Sequence, residues 1–399
     1  MKSIDQIDAD GKKVLVRVDF NVPLDAQRQV RDDLRIRTAL PTLKHLTGQK
    51  ARVILASHLG RPKGKKVPEL SLQPVADHLS RILGQDVVMA PDCIGSEVEA
   101  MVSRLNPGQV LLLENLRFHQ GEETDDDAFG SALAALCDVF VNDAFAVCHR
   151  ANASVSAVTR HAPVSVAGFL LKQELGYADQ ALQNPRRPFA AVVGGAKVST
   201  KLGALENILE RVDKIILGGA MANTFLAAAG TDVGGSKVET DMMAAAAGIM
   251  TRAAKKGIPV YLPVDGVAAE GPDTDAPVRR VPVQEVPSQW MILDIGPASL
   301  TLFSQALYDA KTIVWNGPLG VFEKDAFSRG TLGMAHCLAE CHALTVVGGG
   351  ETAEAVQKSG LADRISYIST GGGAFLALME GKELPAVAAL KEAGGPGSI

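Results

Sequence analysis

The chain has 399 residues, which at roughly 150 per domain predicts two or three compact domains and excludes a single small scaffold. Its 47% hydrophobic and 21% charged residues, with only 20 prolines, lie far from disordered or collagen-like compositions. Forty Lys and Arg against 45 Asp and Glu leave a net charge of -5, so no broad basic field exists for nucleic acid or an anionic membrane surface.

At the amino terminus, Asp5, Asp8 and Asp10 stand where a signal peptide has its apolar stretch, and a cytoplasmic location is expected. No apolar run approaches the roughly 18 residues of a membrane span; Val164–Leu171 is much too short. Short, nearly continuous apolar runs, each followed by a polar or glycine-rich turn and a longer amphipathic stretch, recur along the chain. Strands buried on both faces read this way, so the expected class is α/β with mainly parallel sheets. In the first half strands are predicted at Val14–Phe20, Val53–Ser57, Val110–Leu113 and Val139–Val141. A helical stretch over Leu171–Leu182 is then stopped by Asn184-Pro185-Arg186-Arg187-Pro188. The expected division is a domain over 1–170, a helical linker over 171–188 and a second domain over 189–378. Strands in that second half are predicted at Phe189–Val193, Lys214–Leu217, Pro259–Leu262, Met291–Leu293, Thr312–Trp315, Leu344–Val347 and Ile365–Ile368. The tail Lys391–Ile399 is expected to be mobile. Five irregularly spaced cysteines are too few for a disulfide framework, and Cys337 with Cys341 has no matching second pair for zinc, so free thiols are expected.

Ligands of open parallel sheets bind beyond the carboxyl ends of the strands, so the residues after each run decide what can be bound. First-half strands lead into ionic and hydrogen-bonding groups: Arg17, Asp19 and Asn21; Ser57, His58 and Arg61; Glu114, Asn115, Arg117 and His119; Asn142, Asp143, His149 and Arg150. One such residue is most often a solvated loop side chain. Repetition at several strand ends points instead to a site for a small, multiply anionic molecule, because a guanidinium fork matches carboxylate and phosphate oxygens. Residues 1–180 hold 21 Lys and Arg against 23 Asp and Glu, so the effect is local rather than global.

Second-half strands lead into glycine: Gly194-Gly195-Ala196-Lys197, Gly218-Gly219-Ala220, Gly296-Pro297, Asn316-Gly317-Pro318, Gly348-Gly349-Gly350-Glu351 and Gly371-Gly372-Gly373. Each is ordinary turn chemistry alone. Together they predict exposed backbone N–H groups opening helices, where the phosphates of a nucleotide can approach closely. Lys197 and Lys201 are expected on one face of the first turn of the following helix, where their charge opposes the helix dipole unless polyphosphate is bound. No Gly-Lys-Ser/Thr ending, no Gly-x-Gly-x-x-Gly and no partner motifs for a protein kinase occur. A kinase acting on some other carboxylate and a hinged two-lobed binding protein remain open on these residues; an NAD-dependent dehydrogenase, lacking a fingerprint, fits less well.

In order along the chain, the segments Arg17–Pro23, Arg35-Ile36, Ser57–Gly64, Glu114–Phe118, Asp138–Phe145, Gly194–Lys201, Gly218–Phe225, Trp315–Glu323 and Ser369–Ala374 closely resemble the phosphoglycerate kinase family, nearly end to end. The resemblance implies two Rossmann-like domains facing across a hinged cleft, with 379–399 returning to the first domain, a monomer, and hinges at Ser369-Thr370-Gly371 and near 171–185. It implies reversible glycolytic phosphoryl transfer between 1,3-bisphosphoglycerate and ADP, giving 3-phosphoglycerate and ATP, with Mg2+. By position, Asp19-Phe20-Asn21, Arg35, His58-Leu59-Gly60-Arg61, Arg117 and Arg150 would bind 3-phosphoglycerate. Lys201, Asn316, Glu323 at the ribose, and Gly349-Gly350-Glu351-Thr352 would bind nucleotide. Glu351 would meet the metal, where the family commonly has Asp. Val147-Cys148 stand where the family more often has Thr-Ala. Arg35, Lys197, Lys201, Gly371 and Gly372 are the expected catalytic groups, with the amides of Gly371–Gly373 facing the group in transfer.

Overall fold

A computed structural model describes residues 1–273 and 277–394. The chain forms two compact units, one of Met1–Leu175 with the described part of the segment from Glu383 onward, the other of Gly176–Lys382.

The amino-terminal unit is built on β1 (Lys13–Val18), β2 (Arg52–Ala56), β3 (Val87–Met89), β4 (Val110–Leu112), β5 (Val139–Asp143) and β6 (Ser165–Ala167), in the order β3-β4-β2-β1-β5-β6. Every pairing is parallel. Helices cover both faces, which is why β1 and β5 are nearly unbroken apolar runs and are buried along almost their whole length. Leu43 and Leu46 of the helix Leu34–Gly48, and Val75 and Leu79 of the helix Gln73–Leu83, join Val14, Val16, Val53 and Leu55 in one core. The terminal helix Pro385–Ala393 packs on β6 and on the helix Ala157–His161.

The helix Phe169–Ala178 starts in this unit under tight control. Asp143 Oδ1, at the end of β5, accepts from Leu170 N at 2.8 Å and Leu171 N at 3.2 Å, while Thr42 Oγ1 accepts from Phe169 N. Burial pushes the Asp143 carboxyl up to about 6. The two units divide within this helix, at Leu175 and Gly176, so its first turns belong to one unit and its last to the other. The helix continues as a π turn over Asp179–Gln183 and stops before Pro185.

The carboxy-terminal unit contains β7 (Phe189–Val193), β8 (Lys214–Leu217), β9 (Val260–Tyr261), β10 (Asp265–Ala269), β11 (Arg279–Pro282), β12 (Met291–Ile295), β13 (Thr312–Asn316), β14 (Leu344–Gly348) and β15 (Tyr367–Ile368). Six make a parallel sheet in the order β15-β14-β13-β7-β8-β9. Met291–Leu293, read from sequence as another parallel strand, instead lies in the antiparallel sheet β11-β10-β12. Its first three residues are only half-buried, as suits a strand in a small side sheet. The glycine-rich tail from Gly395 lies outside the described residues, and Lys391–Ala393, expected to be mobile, is helical.

The turns after β7, β8 and β13 meet backbone to backbone. A Cβ on Gly194 would stand 2.2 Å from Pro318 O, and one on Gly317, whose φ is +99°, 2.2 Å from Gly194 O. Gly194→Ala is therefore expected to destabilise the protein by at least about 2 kcal/mol, a fall of about 4–8 °C in Tm. The control Gly248→Ala lies inside the helix Met243–Lys255, meets nothing within 4 Å, and should be neutral or stabilising by up to about 1 kcal/mol. Calorimetry of the two variants checks this; equal Tm values would remove the close-approach argument.

Candidate active site

In the amino-terminal unit the site begins with charges that face inward. Arg17, at the end of β1, is 1% exposed, and its Nε donates to Ser154 Oγ at 2.9 Å while Nη1 donates to Val18 O. Its Nη2 lies 3.1 Å from His58 Nδ1 and 4.0 Å from Glu122 Oε1. Glu122, itself fully buried, accepts from both the amide and the hydroxyl of Ser154. Burial lowers the Arg17 pKa and raises that of Glu122, and each charge offsets the other. A guanidinium can only donate, so His58 Nδ1 is the acceptor and the imidazole is neutral. Burial, followed by the fields of Arg17, Arg117, Arg35 and Arg150, holds the His58 pKa well below its ordinary value.

Around this buried centre, Arg35 Nη1 donates to Asp19 Oδ2 at 2.8 Å and to Asn21 O at 3.1 Å, with the rest of its guanidinium part exposed. Asn21 Oδ1 accepts from Gly60 N at 2.9 Å, and Gly60 O accepts from Arg117 Nη1 at 2.8 Å. Arg117 Nε is buried without a hydrogen bond, its nearest carboxylate being Glu123 at 3.5 Å. Arg150 is exposed, and its Nε donates to His149 Nε2 at 3.1 Å. Direct bonds thus gather Asp19, Asn21, Arg35, Gly60 and Arg117, and Arg150 joins them through its field on His58. Phe20 and Leu59 are core side chains whose backbones do the bonding: Phe20 N donates to Ser57 Oγ, and Leu59 O accepts from Asn115 Nδ2. Arg61 is exposed, with no hydrogen bond or ion pair among the described residues.

Several strand-end groups read as ligand-facing are internal braces. Glu114 accepts from Leu72 N, Ser71 Oγ and Asn115 N; Asn142 and Asp143 are buried and satisfy the chain around them. Glu122 was not singled out from sequence. Its charge sits in a run of acids with no strand pattern to mark it as buried.

In the carboxy-terminal unit, a cavity of about 340 Å³ lies against the turns after β13 and β14, between Lys201, Asn316, Gly349, Glu351, Thr352 and Gly372, with Gly350 also on its wall. Asn316 orients it: Nδ2 donates to Gly348 O at 3.0 Å, and Oδ1 accepts from Lys201 Nζ. Thr352 Oγ1 accepts from Gly317 N at 2.7 Å, tying β13 to the helix Gly350–Lys358. Gly349, at φ +101°, precedes that helix in a conformation that strains any side chain. Glu351, in the first turn, is exposed toward the cavity. Burial pushes the Lys201 ammonium down to about 8, against the pull of Glu351.

Lys197 and Lys201 do not share a helical face. The helix starts only at Leu202, because buried Val198 and the bonds from Ser199 N and Oγ to Glu239 hold the preceding turn apart from it. Lys201 turns into the cavity, whereas Lys197 is exposed beside the turn. Glu323 is also exposed and is not on the cavity wall. Gly371 caps the helix Gly372–Met379, donating from its amide to Ser369 Oγ, and leaves the wall to Gly372 and Gly373. Gly317 and Leu376 line the cavity too. The Asn316-Gly317-Pro318 turn was a usable signal for the first; nothing distinguished Leu376 from the other apolar residues of its helix.

The family model for phosphoglycerate kinase matches residues 4–382. A phosphoglycerate kinase of Desulfosudis oleivorans is 59% identical over 391 residues, covering 98% of this chain and 99% of its own length. Another, of Desulfotalea psychrophila, is 56% identical over 392 residues, covering 98% and 100%. The solved structure of phosphoglycerate kinase from Coxiella burnetii has a TM-score of 0.89 at 43% identity, covering 98% of both chains. That from Pyrococcus horikoshii has 0.88 at 32% identity, covering 99% of both. Matched along nearly its whole length in sequence and in fold, the chain belongs to the phosphoglycerate kinase family.

Proposed function

We propose that the two units divide the substrates of the phosphoglycerate kinase reaction, with 3-phosphoglycerate on the amino-terminal unit and the magnesium nucleotide on the carboxy-terminal one. The reaction is the family's phosphoryl transfer with a carboxyl group as acceptor. The observation that carries the division is the group of guanidiniums acting on buried His58 in a unit whose opposite number offers a lysine and bare peptide amides. Arg35, Arg117, Arg150 and Arg61 supply charge to the phosphate and carboxylate of the glycerate; Asp19 and Asn21 hold its hydroxyl end.

In the ATP-consuming direction the nucleophile is a carboxylate, which with a pKa near 4 is already ionised at neutral pH. No general base is needed, and His58, held neutral far below its usual range, is a hydrogen-bonding group rather than a base. Catalysis then rests on positioning and on stabilising negative charge spread over the transferred group. Arg35 and Lys197, with the amides at Gly371 and Gly372, serve that charge; Lys201, braced by Asn316, serves the nucleotide phosphates. Glu323 is read as the ribose partner.

One carboxylate beside a phosphate-binding turn suits Mg2+, which is commonly held by one or two carboxylates plus substrate phosphates, and Glu351 at the cavity is that carboxylate. Bound Mg2+ would neutralise phosphate charge. Soluble monomeric action in the cytoplasm fits this reading, and no helix among the described residues is long and apolar enough to cross a membrane.

Three outcomes follow. In an assay of ADP-dependent consumption of 1,3-bisphosphoglycerate the chain turns over, and Arg35→Ala lowers kcat by about 10²-fold or more, near 3 kcal/mol; unchanged turnover would strike Arg35 from the catalytic groups. Because Lys201 titrates near 8 in the free protein, it is partly neutral at pH 8.5 and nucleotide phosphates restore its charge. Calorimetry in buffers of different ionisation enthalpy should show proton uptake on ADP binding at that pH, up to about one per site, absent in Lys201→Met. Finally, direct transfer requires the two bound molecules to meet. Both ligands together should therefore lower the radius of gyration in solution scattering more than either alone, and equal values would exclude closure.

A further inference from the structure

The loops after β3 and β4 bring three unlike ligand side chains to one point of the amino-terminal unit, among residues to which the transfer chemistry gives no role. Asp92 and Cys93 follow β3; His119 follows the turn Leu116–Phe118. His119 Nε2 lies 2.7 Å from Asp92 Oδ1, and one ligand atom from each of Asp92, Cys93 and His119 lies within 4.8 Å of the other two. The His119 ring is stacked on Phe129, with centroids 5.3 Å apart and planes 27° from parallel, so its direction is set by packing. The backbone holds the acid as well: Cys93 N donates to Asp92 Oδ1 at 2.7 Å. His119 also lines a cavity of about 540 Å³ shared with Thr124 and Asp126, and the side chains of His119 and Asp92 are part exposed, so the cluster is open to solvent on their side.

Cys93 is fully buried, and burial together with the charge of Asp92 raises its thiol pKa, so without a cation it is an inert thiol. Asp92 is paired with His119 and also meets the Cys93 thiol, so one carboxylate holds an imidazole and a sulfur within reach of a common point. A thiolate, an imidazole and a carboxylate around an opening to water match the donor set of a three-ligand zinc site, whose fourth position is held by solvent.

We propose that Asp92, Cys93 and His119 form a binding site for a borderline-soft divalent cation of the zinc class, clamping the loop after β3 to the loop after β4. On binding, Cys93 releases its thiol proton to solvent, and His119 binds through Nε2 with its ring proton on Nδ1. Lys66, whose Nζ donates to Pro91 O at 3.2 Å, adds a positive charge beside Asp92 and keeps the affinity below that of a site with several thiolates.

The test uses the full chain, free of nucleotide and substrate, titrated with Co2+ as a spectroscopic substitute. The expected result is a thiolate-to-cobalt charge-transfer band in the near ultraviolet that saturates at one equivalent per chain and is displaced by Zn2+. Oxygen ligands at Glu351 cannot produce that band. Cys93→Ser should abolish it, and His119→Asn should raise the half-saturating concentration by at least about tenfold. Cys337→Ser should leave it unchanged. Absence of the band in the unsubstituted chain would overturn the proposal whether or not the variants fold. Its persistence in Cys93→Ser, or its loss in Cys337→Ser, would place the thiolate elsewhere and overturn it equally.

Discussion

Parallel pairing is the constraint on which the rest of the structure depends. Within each six-stranded sheet every strand points the same way, so all the carboxyl ends share one edge and the loops leaving them can converge. The order of strands then marks one place on that edge. In the amino-terminal sheet the chain runs from β1 toward β2 on one side and from β5 toward β6 on the other, so Arg17 and Asp19 emerge where successive connections diverge. In the carboxy-terminal sheet the same divergence falls between β7 and β13, and there Gly194 and Gly317 touch backbone to backbone.

The two edges solve opposite electrostatic problems. The first gathers cations, which repel one another and resist burial. Arg17 is removed from water only because Glu122, Ser154, His58 and a carbonyl occupy its donors and balance its charge. Such a pair contributes little net stability against an apolar equivalent, and its use lies in fixing orientation. Here it fixes the His58 ring, whose charge state also feels Arg117, Arg35 and Arg150. The second edge carries fewer charges, with Lys201 and Glu351 on its cavity wall. Glycine turns let backbone approach backbone, leave amides uncovered, and place one lysine whose ammonium burial makes easier to neutralise.

Polar groups with different tasks lie side by side at these edges, and their hydrogen-bond partners separate them. Asp143 and Asp19 both follow strands of one sheet, yet Asp143 is consumed in holding the start of the helix Phe169–Ala178 while Asp19 holds Arg35 at the rim. The cluster at Asp92, Cys93 and His119 occupies the outer part of the same sheet, after β3 and β4, away from the strands that carry Arg17 and Asp143.

Residue order alone determined the fold class, the central strands of the two six-stranded sheets and the contrast between charged and glycine-rich strand ends, because strands buried on both faces must be apolar and turns in which backbone meets backbone must lack side chains. It did not reveal β3, β6, β10 or β11: β3 and β6 are only three residues long, β10 (Asp265–Ala269) is interrupted by Gly266, and β11 (Arg279–Pro282) is exposed and carries no apolar pattern. Nor did it show that Met291–Ile295 pairs antiparallel, since direction is set by partners distant in sequence. Lys197 and Lys201 had the spacing of one helical face, but a buried valine and the Ser199–Glu239 bonds decided that only Lys201 enters the cavity. The buried Arg17–Glu122 pair and the meeting of Cys93 with His119 were decided by tertiary structure alone, because a charge or a thiol acquires its function from what packs around it, and chain order does not carry that information.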